Sequence, residues 1–256
     1  VVDIAKTKSG IIKPASRVVT ALQATEVLDV LQTASTQNEA PMTIAGRDVE
    51  LLTSTPAVGG QMIDIRLRHG EYRSLALPLF GLHQADNALL AVAAVEQFIG
   101  GGENELSRDL LEEALGHSSS PGRLQVVGHQ PTVIIDAAHN PHGAESLGRA
   151  LMQSFQFDTM VVVLGVLRDK DARGIVEALD PLADMFVVTQ SESDRAVPAE
   201  DLAESVVHVA GPDRTSWREN LIDAIELARQ QAGPDGGVVV TGSVTLIAEA
   251  LEWAGR

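Results

Sequence analysis

An α/β fold with a mostly parallel sheet, covered by helices on both faces, is the fold class that this 256-residue sequence predicts. Two observations carry that prediction. Beyond about residue 130, short runs of consecutive Val, Ile and Leu alternate with segments of helical character. Such runs have no polar face to give to water, so layers of helix must cover both sides of the sheet they form. The second observation is Val133-Ile134-Ile135-Asp136-Ala137-Ala138-His139-Asn140-Pro141-His142. An apolar run that ends in Asp, His and Asn-Pro reads as a buried strand delivering polar groups to its carboxyl end, where open α/β sheets bind their ligands.

The chain divides near Ser118-Ser119-Ser120-Pro121-Gly122, a flexible run followed by a change of pattern. Before it, residues 41–44, 49–53, 62–68 and 72–77 read as short strands separated by Gly, Asn or His turns. The alternation in Met62-Ile63-Asp64-Ile65-Arg66-Leu67-Arg68 suits a half-exposed antiparallel sheet. Two helices are expected next, over 85–99, stopped by Gly100-Gly101-Gly102, and over 107–115, stopped by Gly116. After the division, strands at 133–136, 160–164, 185–189, 206–209 and 238–241 precede helices at 141–154, 172–179, 198–205, 216–231 and 244–253. Pro141 suits the first helical position and Asn140 the cap before it. The expected division is therefore 1–118 and 119–256, the second being a Rossmann-like domain with right-handed crossovers. No repeats or low-complexity tracts appear.

Composition narrows the chemistry. Hydrophobic residues make up 45%, enough for a real core, whereas aromatics are only 3%, which argues against a surface that stacks bases or sugars. The net charge of −16 repels nucleic acid and anionic membrane, so neither is expected as a partner. With no cysteine, disulfides, thiolate metal sites and a cysteine nucleophile are excluded. No apolar run reaches the length of a membrane span and no signal peptide opens the chain, so a cytoplasmic protein is expected. None of the seven histidines has metal spacing with a second ligand; His139 and His142 are three apart but lack further partners. The chain opens Val1-Val2-Asp3 without an initiator Met and reads as a fragment.

Six segments in order carry a resemblance. Ile4-Ala5-Lys6-Thr7-Lys8-Ser9-Gly10-Ile11-Ile12-Lys13-Pro14 resembles an "IA-x-x-K-[AS]-GI-x-K" segment, and Gly81-Leu82-His83-Gln84-Ala85-Asp86-Asn87-Ala88 a "G-x-HQ-x-x-NA" helix start. Pro121-Gly122-Arg123-Leu124-Gln125 and Asp136-Ala137-Ala138-His139-Asn140-Pro141 resemble "PGR-x-Q" and "D-x-AHNP". Asp169-Lys170-Asp171 and Thr241-Gly242-Ser243 resemble "DKD" and "TGS". Together they resemble the C-terminal half of folylpolyglutamate synthase/dihydrofolate synthase, in the Mur ligase superfamily. The resemblance implies the end of a central ATPase domain over 1–118 and a Rossmann-like ligase domain over 119–256. No G-x-x-x-x-G-K-[ST] phosphate loop occurs in the chain, so it is expected to be inactive or nearly so by itself.

The resemblance also implies an activity. Such enzymes use ATP and Mg²⁺ to phosphorylate a folate or dihydropteroate carboxylate, and the amine of L-glutamate then attacks the acyl phosphate. By resemblance Asn87 hydrogen-bonds the adenine or an adjacent part of the nucleotide, and Asp136 contacts it through ribose or an ordered water. Arg123 becomes a phosphate ligand reaching across an interdomain cleft, its fork of donors suiting spread negative charge. His139 and Ser243 fall near the incoming glutamate or the acyl phosphate. Lys8 matches a lysine carbamylated to become an oxygen ligand of Mg²⁺. Plainer readings stand beside these: a helix-start polar residue for Asn87, a linker salt bridge for Arg123, an N-cap for Ser243, and a solvated helix start for Asp169-Lys170-Asp171. A monomer acting on small molecules is expected. Another Mur-type amide ligase, for cell-wall or poly-amino-acid substrates, and a non-enzymatic nucleotide-binding module are the alternatives.

Overall fold

The structure, a computed structural model, describes residues 1–99 and 103–255. They form two compact units, Val1–Ser119 and Ser120–Arg256.

The first unit opens with α1 (Val2–Ser9), β1 (Val18–Thr20), α2 (Thr25–Gln37) and β2 (Met42–Ile44). β1 and β2 pair in parallel, Val18 opposite Met42. An antiparallel sheet follows, built from β3 (Glu50–Ala57), β4 (Gly60–Arg66) and β5 (Glu71–Leu77) in that order. The alternation along β4 has the expected consequence: Ile63, Ile65 and, just beyond the strand, Leu67 are buried. Tyr72, Leu75 and Leu77 of β5 join them, and α3 (Leu82–Phe98) and α4 (Arg108–Gly116) close that core with Ala85, Leu89, Val92, Leu111 and Leu115. The Gly100-Gly101-Gly102 stop expected after α3 lies outside the described residues.

The second unit is an α/β sandwich around a six-stranded sheet. Its elements are β6 (Gln125–Gly128), β7 (Thr132–Ile135), α5 (Pro141–Ser154), β8 (Met160–Leu164), α6 (Ala172–Leu179), β9 (Met185–Val188), α7 (Ala199–Ala210), β10 (Thr215–Trp217), α8 (Leu221–Ala232), β11 (Gly237–Thr241) and α9 (Val244–Ala254). The strand order is β10-β9-β8-β11-β7-β6, parallel throughout except for β6 against β7. The Rossmann-like, mostly parallel sheet is as expected from the Val-rich runs. β6 was not anticipated: four residues with a Gly at the end give too short a pattern to recognise.

The helices sort by the direction of the chain. From β7 through β10 every crossover moves the same way across the sheet, so α5, α6 and α7 share one face. The return from β10 to β11 puts α8 and α9 on the other, over Val133, Val161, Val187, Val238 and Val240. Direction therefore reverses around β11, and the loops leaving β7, β8 and β11 open a crevice at their carboxyl ends.

One strand is corrected. Residues 206–209 were expected to be a strand but lie within α7. The β-branched run misleads because Val206 continues the helical spacing of Leu202 and Ala203 and is fully buried on that helix's inner face. The strand is instead Thr215–Trp217. The next helix starts at Leu221, where the Asn220 side chain accepts from the N–H groups of Ile222 and Asp223 at 2.9 and 3.3 Å.

One cap invites measurement. Asn140 accepts from Gly143 N at 2.8 Å and precedes Pro141 at the first turn of α5. Asn140→Ala is expected to cost about 1 kcal/mol, checked by urea unfolding; an unchanged midpoint would show the cap to be idle.

Candidate functional site

The crevice is built from backbone held in place by few side chains. β7 ends at Ile135, and Asp136 follows as a nearly buried carboxylate, 6% exposed. Its Oδ1 accepts from Ala138 N at 2.8 Å and its Oδ2 from Leu124 N at 2.9 Å. The first bond closes the turn carrying His139. The second ties that turn to the Pro121–Gln125 loop twelve residues upstream.

The backbone of that loop is pinned throughout, Arg123 included, since its N–H donates to Ser120 O at 3.1 Å. Gly122 donates its N–H to the Gln125 side chain at 2.9 Å and accepts at its carbonyl from Ala137 N at 2.8 Å. Gly122 has φ +68°, and a Cβ there would sit 2.5 Å from Ile247 Cγ2, so the position admits only Gly. Leu124, also at positive φ (47°), is buried and anchors the loop's far side. Arg123 between them is exposed and makes no ion pair among the described residues of its unit. A linker salt bridge, the plainer reading of Arg123, has no such partner there.

His139 is half-buried, with Nδ1 2.9 Å from Ala137 O. A carbonyl can only accept, so Nδ1 carries the proton and a neutral ring keeps a lone pair on Nε2. The Thr241-Gly242-Ser243 turn joins the same cluster: Gly242 N and Thr241 Oγ1 both donate to Ala138 O, at 3.0 and 3.3 Å. Ser243 is 1% exposed and caps α9, accepting from Leu246 N at 3.1 Å. Its hydroxyl also meets Thr245 Oγ1 at 3.1 Å, which meets Ser191 Oγ at 2.9 Å. The N-cap reading of Ser243 is thus realised in the fold.

The Asp169-Lys170-Asp171 segment borders the cluster. Asp171 caps α6 through Gly174 N at 2.9 Å, and Asp169 lies 3.1 Å from Lys170 Nζ and 2.6 Å from Arg195. Those two cations hold the Asp169 carboxyl below the usual carboxylate range.

Two of the sequence-based site residues lie in the other unit. Asn87 is exposed on α3 and donates to Gln84 Oε1 at 3.3 Å. The turn leading into α3 is held by a residue that sequence reasoning missed. Gln61 donates to the carbonyls of Leu79 and Gly81 at 2.8 and 3.0 Å and accepts from Ser54 Oγ at 2.6 Å. The signal was available, since Gln61 is a polar residue at an inward-facing position of an alternating strand. Lys8 is exposed in the last turn of α1. Among the described residues no group of three or more His, Asp or Glu could hold a metal, so Lys8 has no set of carboxylates around it.

A cavity of about 190 Å³ lies at the carboxyl side of β9, lined by Ser191, Glu192, Glu219, Glu249, Glu252 and Trp253 among others. Four carboxylates make it a poor host for phosphate. Glu249 is held above the usual range, chiefly by burial and further by Glu192 and Glu252, against the pull of the Glu192 N–H that it accepts. A carboxyl raised in the folded state costs stability as pH climbs from its unfolded value through its folded one. Glu249→Gln keeps an acceptor for Glu192 N and is expected to raise thermal stability at pH 7 by less than about 1 kcal/mol. The gain should vanish near about pH 4, where the unfolded carboxyl also protonates; a gain independent of pH would refute the assignment.

Residues 122–244 match the family model described as Mur ligase, glutamate ligase domain. The chain is 39% identical, over its whole length, to a dihydrofolate synthase/folylpolyglutamate synthase of Mycobacterium tuberculosis, of which it covers 57%. Residues 122–244 are thus a Mur ligase C-terminal domain, and the chain is strongly homologous to the folylpolyglutamate synthase/dihydrofolate synthases. A second such synthase, from Bacillus subtilis, is 28% identical over 96% of the chain and 56% of the relative. The solved Mycobacterium tuberculosis folylpolyglutamate synthase complexed with ADP superposes with a TM-score of 0.93 at 39% identity, covering the whole chain and 59% of that structure. The chain thus spans a little over half the length of the folylpolyglutamate synthases it matches. Among the described residues no helix is long and apolar enough to cross a membrane.

Proposed function

We propose that the chain serves an ATP-dependent ligase that joins L-glutamate to the carboxylate of a folate or dihydropteroate through an acyl phosphate. The observation that carries this reading is the Arg123 loop: a guanidinium with no ion-pair partner among the described residues of its unit, on a loop bonded to Asp136 and Ala137 of the turn that leads to His139. A carboxylate resists an amine because oxide is a very poor leaving group, and phosphorylation supplies a better one. Arg123 then faces phosphate charge, Asn87 and Asp136 serve the nucleotide, and His139 stands beside the incoming amine. With Nδ1 committed to Ala137 O, its Nε2 can take the proton that the glutamate ammonium must lose before its nitrogen attacks. Ser243 shapes this end of the crevice by capping α9. The relatives support the reading, being named for this activity, and one was solved with ADP.

Mg²⁺ enters this reading as the ion that accompanies ATP. A carbamylated Lys8 would supply one oxygen, but the described residues offer no carboxylate set beside it, so they do not fit a metal centre and no step is routed through one.

The test is ADP release by the full-length protein with ATP, L-glutamate and either dihydropteroate or a reduced folate. Turnover that needs all three substrates supports the proposal. Turnover with a UDP-linked peptide acceptor in place of the pterin would transfer the protein to another Mur ligase activity.

A further inference from the structure

We infer that Gln61 is a positioning residue for the nucleotide: from β4 it sets the first turn of α3, and with it the side chain of Asn87. The inference rests on the proposed placement of the nucleotide at Asn87.

The start of α3 lacks a side-chain cap of its own, because its N-cap is Gly81, which has no side chain to offer the first turn. Gln61 ties that turn down from outside the helix. Its Nε2 donates to Leu79 O at 2.8 Å and to Gly81 O at 3.0 Å, one on each side of Phe80. Both carbonyls can only accept, so the NH₂ end of the amide must be the end that faces them. The opposite end is fixed as well, since Ser54 Oγ donates to Gln61 Oε1 at 2.6 Å. Gln61 is 5% exposed, and an amide buried to that degree is costly unless it is bonded. Both of its donors are spent on this one turn. Gly81 O also accepts from Gln84 N at 2.9 Å, so a single carbonyl joins the Gln61 amide to the helix.

The link continues to Asn87. Gln84 is buried, and its Oε1 accepts from Asn87 Nδ2 at 3.3 Å. With one N–H engaged there, exposed Asn87 keeps its Oδ1 and its second N–H for a ligand. An acceptor and a donor side by side match the edge of adenine, which presents an exocyclic amine beside a ring nitrogen. A bonded path therefore runs from Ser54 on β3 through Gln61 on β4 to Gln84 and Asn87 on α3.

Amide exchange and ADP affinity, both measured on the full-length protein, test this. Gln61→Met keeps the length of the side chain and removes both donors. The amide of Gln84 should then exchange at least about tenfold faster, while Val92 and Ala93 in the middle of α3 stay protected. By calorimetry the same variant should bind ADP about tenfold more weakly, yet add almost nothing to the loss once Asn87 is Ala. Losses that add would overturn the inference, because Gln61 would then act by a route other than Asn87. A lower melting temperature with unaltered ADP affinity would do the same, as the mark of a purely structural residue, and so would unchanged exchange at Gln84. If Gln61→Met does not fold, Ser54→Ala frees the Gln61 amide at its other end. It should weaken ADP binding about threefold, again only while Asn87 is present; unaltered affinity there also counts against the inference. Asn87→Ala tests the functional reading by itself. Unaltered ADP affinity in that variant would remove the nucleotide from Asn87 and reduce Gln61 to a structural residue of the turn.

Discussion

If the full-length protein carries out the proposed ligation, replacing Arg123 with Ala is expected to lower its kcat by about 10²–10³ while raising KM for ATP much less. The expectation follows from where charge grows. As the γ-phosphoryl group moves to the acceptor carboxylate, negative charge spreads over its oxygens, and a planar fork of donors meets it better than a point charge. A rigid base matters as much as the guanidinium, because a donor that must reorganise during reaction contributes less. Arg123 has that base: Gly122 and Leu124 on either side are each tied by hydrogen bonds. A surface ion pair would behave differently, since its loss costs about 0–1 kcal/mol of stability and leaves kcat alone. Steady-state kinetics at saturating glutamate and pterin separate the two. An unchanged kcat with a slightly lower melting temperature would return Arg123 to a structural role.

Gly242→Ala is expected to destabilise the second unit far more than a single methyl group usually does. Gly242 has φ +111°, where L residues are strained by roughly 1–3 kcal/mol. A Cβ there would also lie 2.5 Å from Gly165 O and 2.9 Å from Leu164 Cδ1. The first of these is backbone at the end of a central strand, which cannot swing aside as a side chain can. Overpacking of this kind costs about another 1–3 kcal/mol. A loss of about 3–5 kcal/mol in chemical denaturation is therefore expected, together with displacement of the bond from Gly242 N to Ala138 O. Because that bond belongs to the His139 turn, activity should fall below what the unfolded fraction explains. A loss under about 1 kcal/mol would show that Gly165 can yield, and the turn would not be the rigid joint described.

The sequence made the second unit legible wherever residues were buried on both faces. β7, β8, β9 and β11 announce themselves as Val and Ile runs, and α5 by its Asn140-Pro141 start. Elements without a strong pattern were lost. α1 buries only Ala5, and β1 has three residues, all half-exposed, so neither shows the periodicity that marks a helix or strand. The 13-residue α2 was missed as well; it buries only Val27 and Ser35, too few to mark a face. Val206 to Val209 misled because β-branched residues suit strands, and packing against the sheet outweighs that local preference. At the site, motif residues were visible by resemblance, but their connections were not. Nothing in a one-dimensional pattern says that Asp136 reaches back to Leu124, or that Leu124 takes a left-handed conformation. Those follow from the antiparallel pairing of β6 with β7, which brings the two segments together.

The position of β11 bears on how the protein is made. Val238 to Val240 pair with β7 on one side and β8 on the other, so a strand about a hundred residues after β7 fills the centre of the sheet. Until it arrives, β7 and β8 present open apolar edges to each other, with no partner between them. Such a sheet has high contact order and closes late, and its unfinished form is exposed to association with other chains. During synthesis the unit should stay protease-sensitive until residue 241 is free to insert, and should then become resistant in a single step. A chain cut before residue 237 should be recovered as aggregate, whatever the quality of the strands that precede the cut.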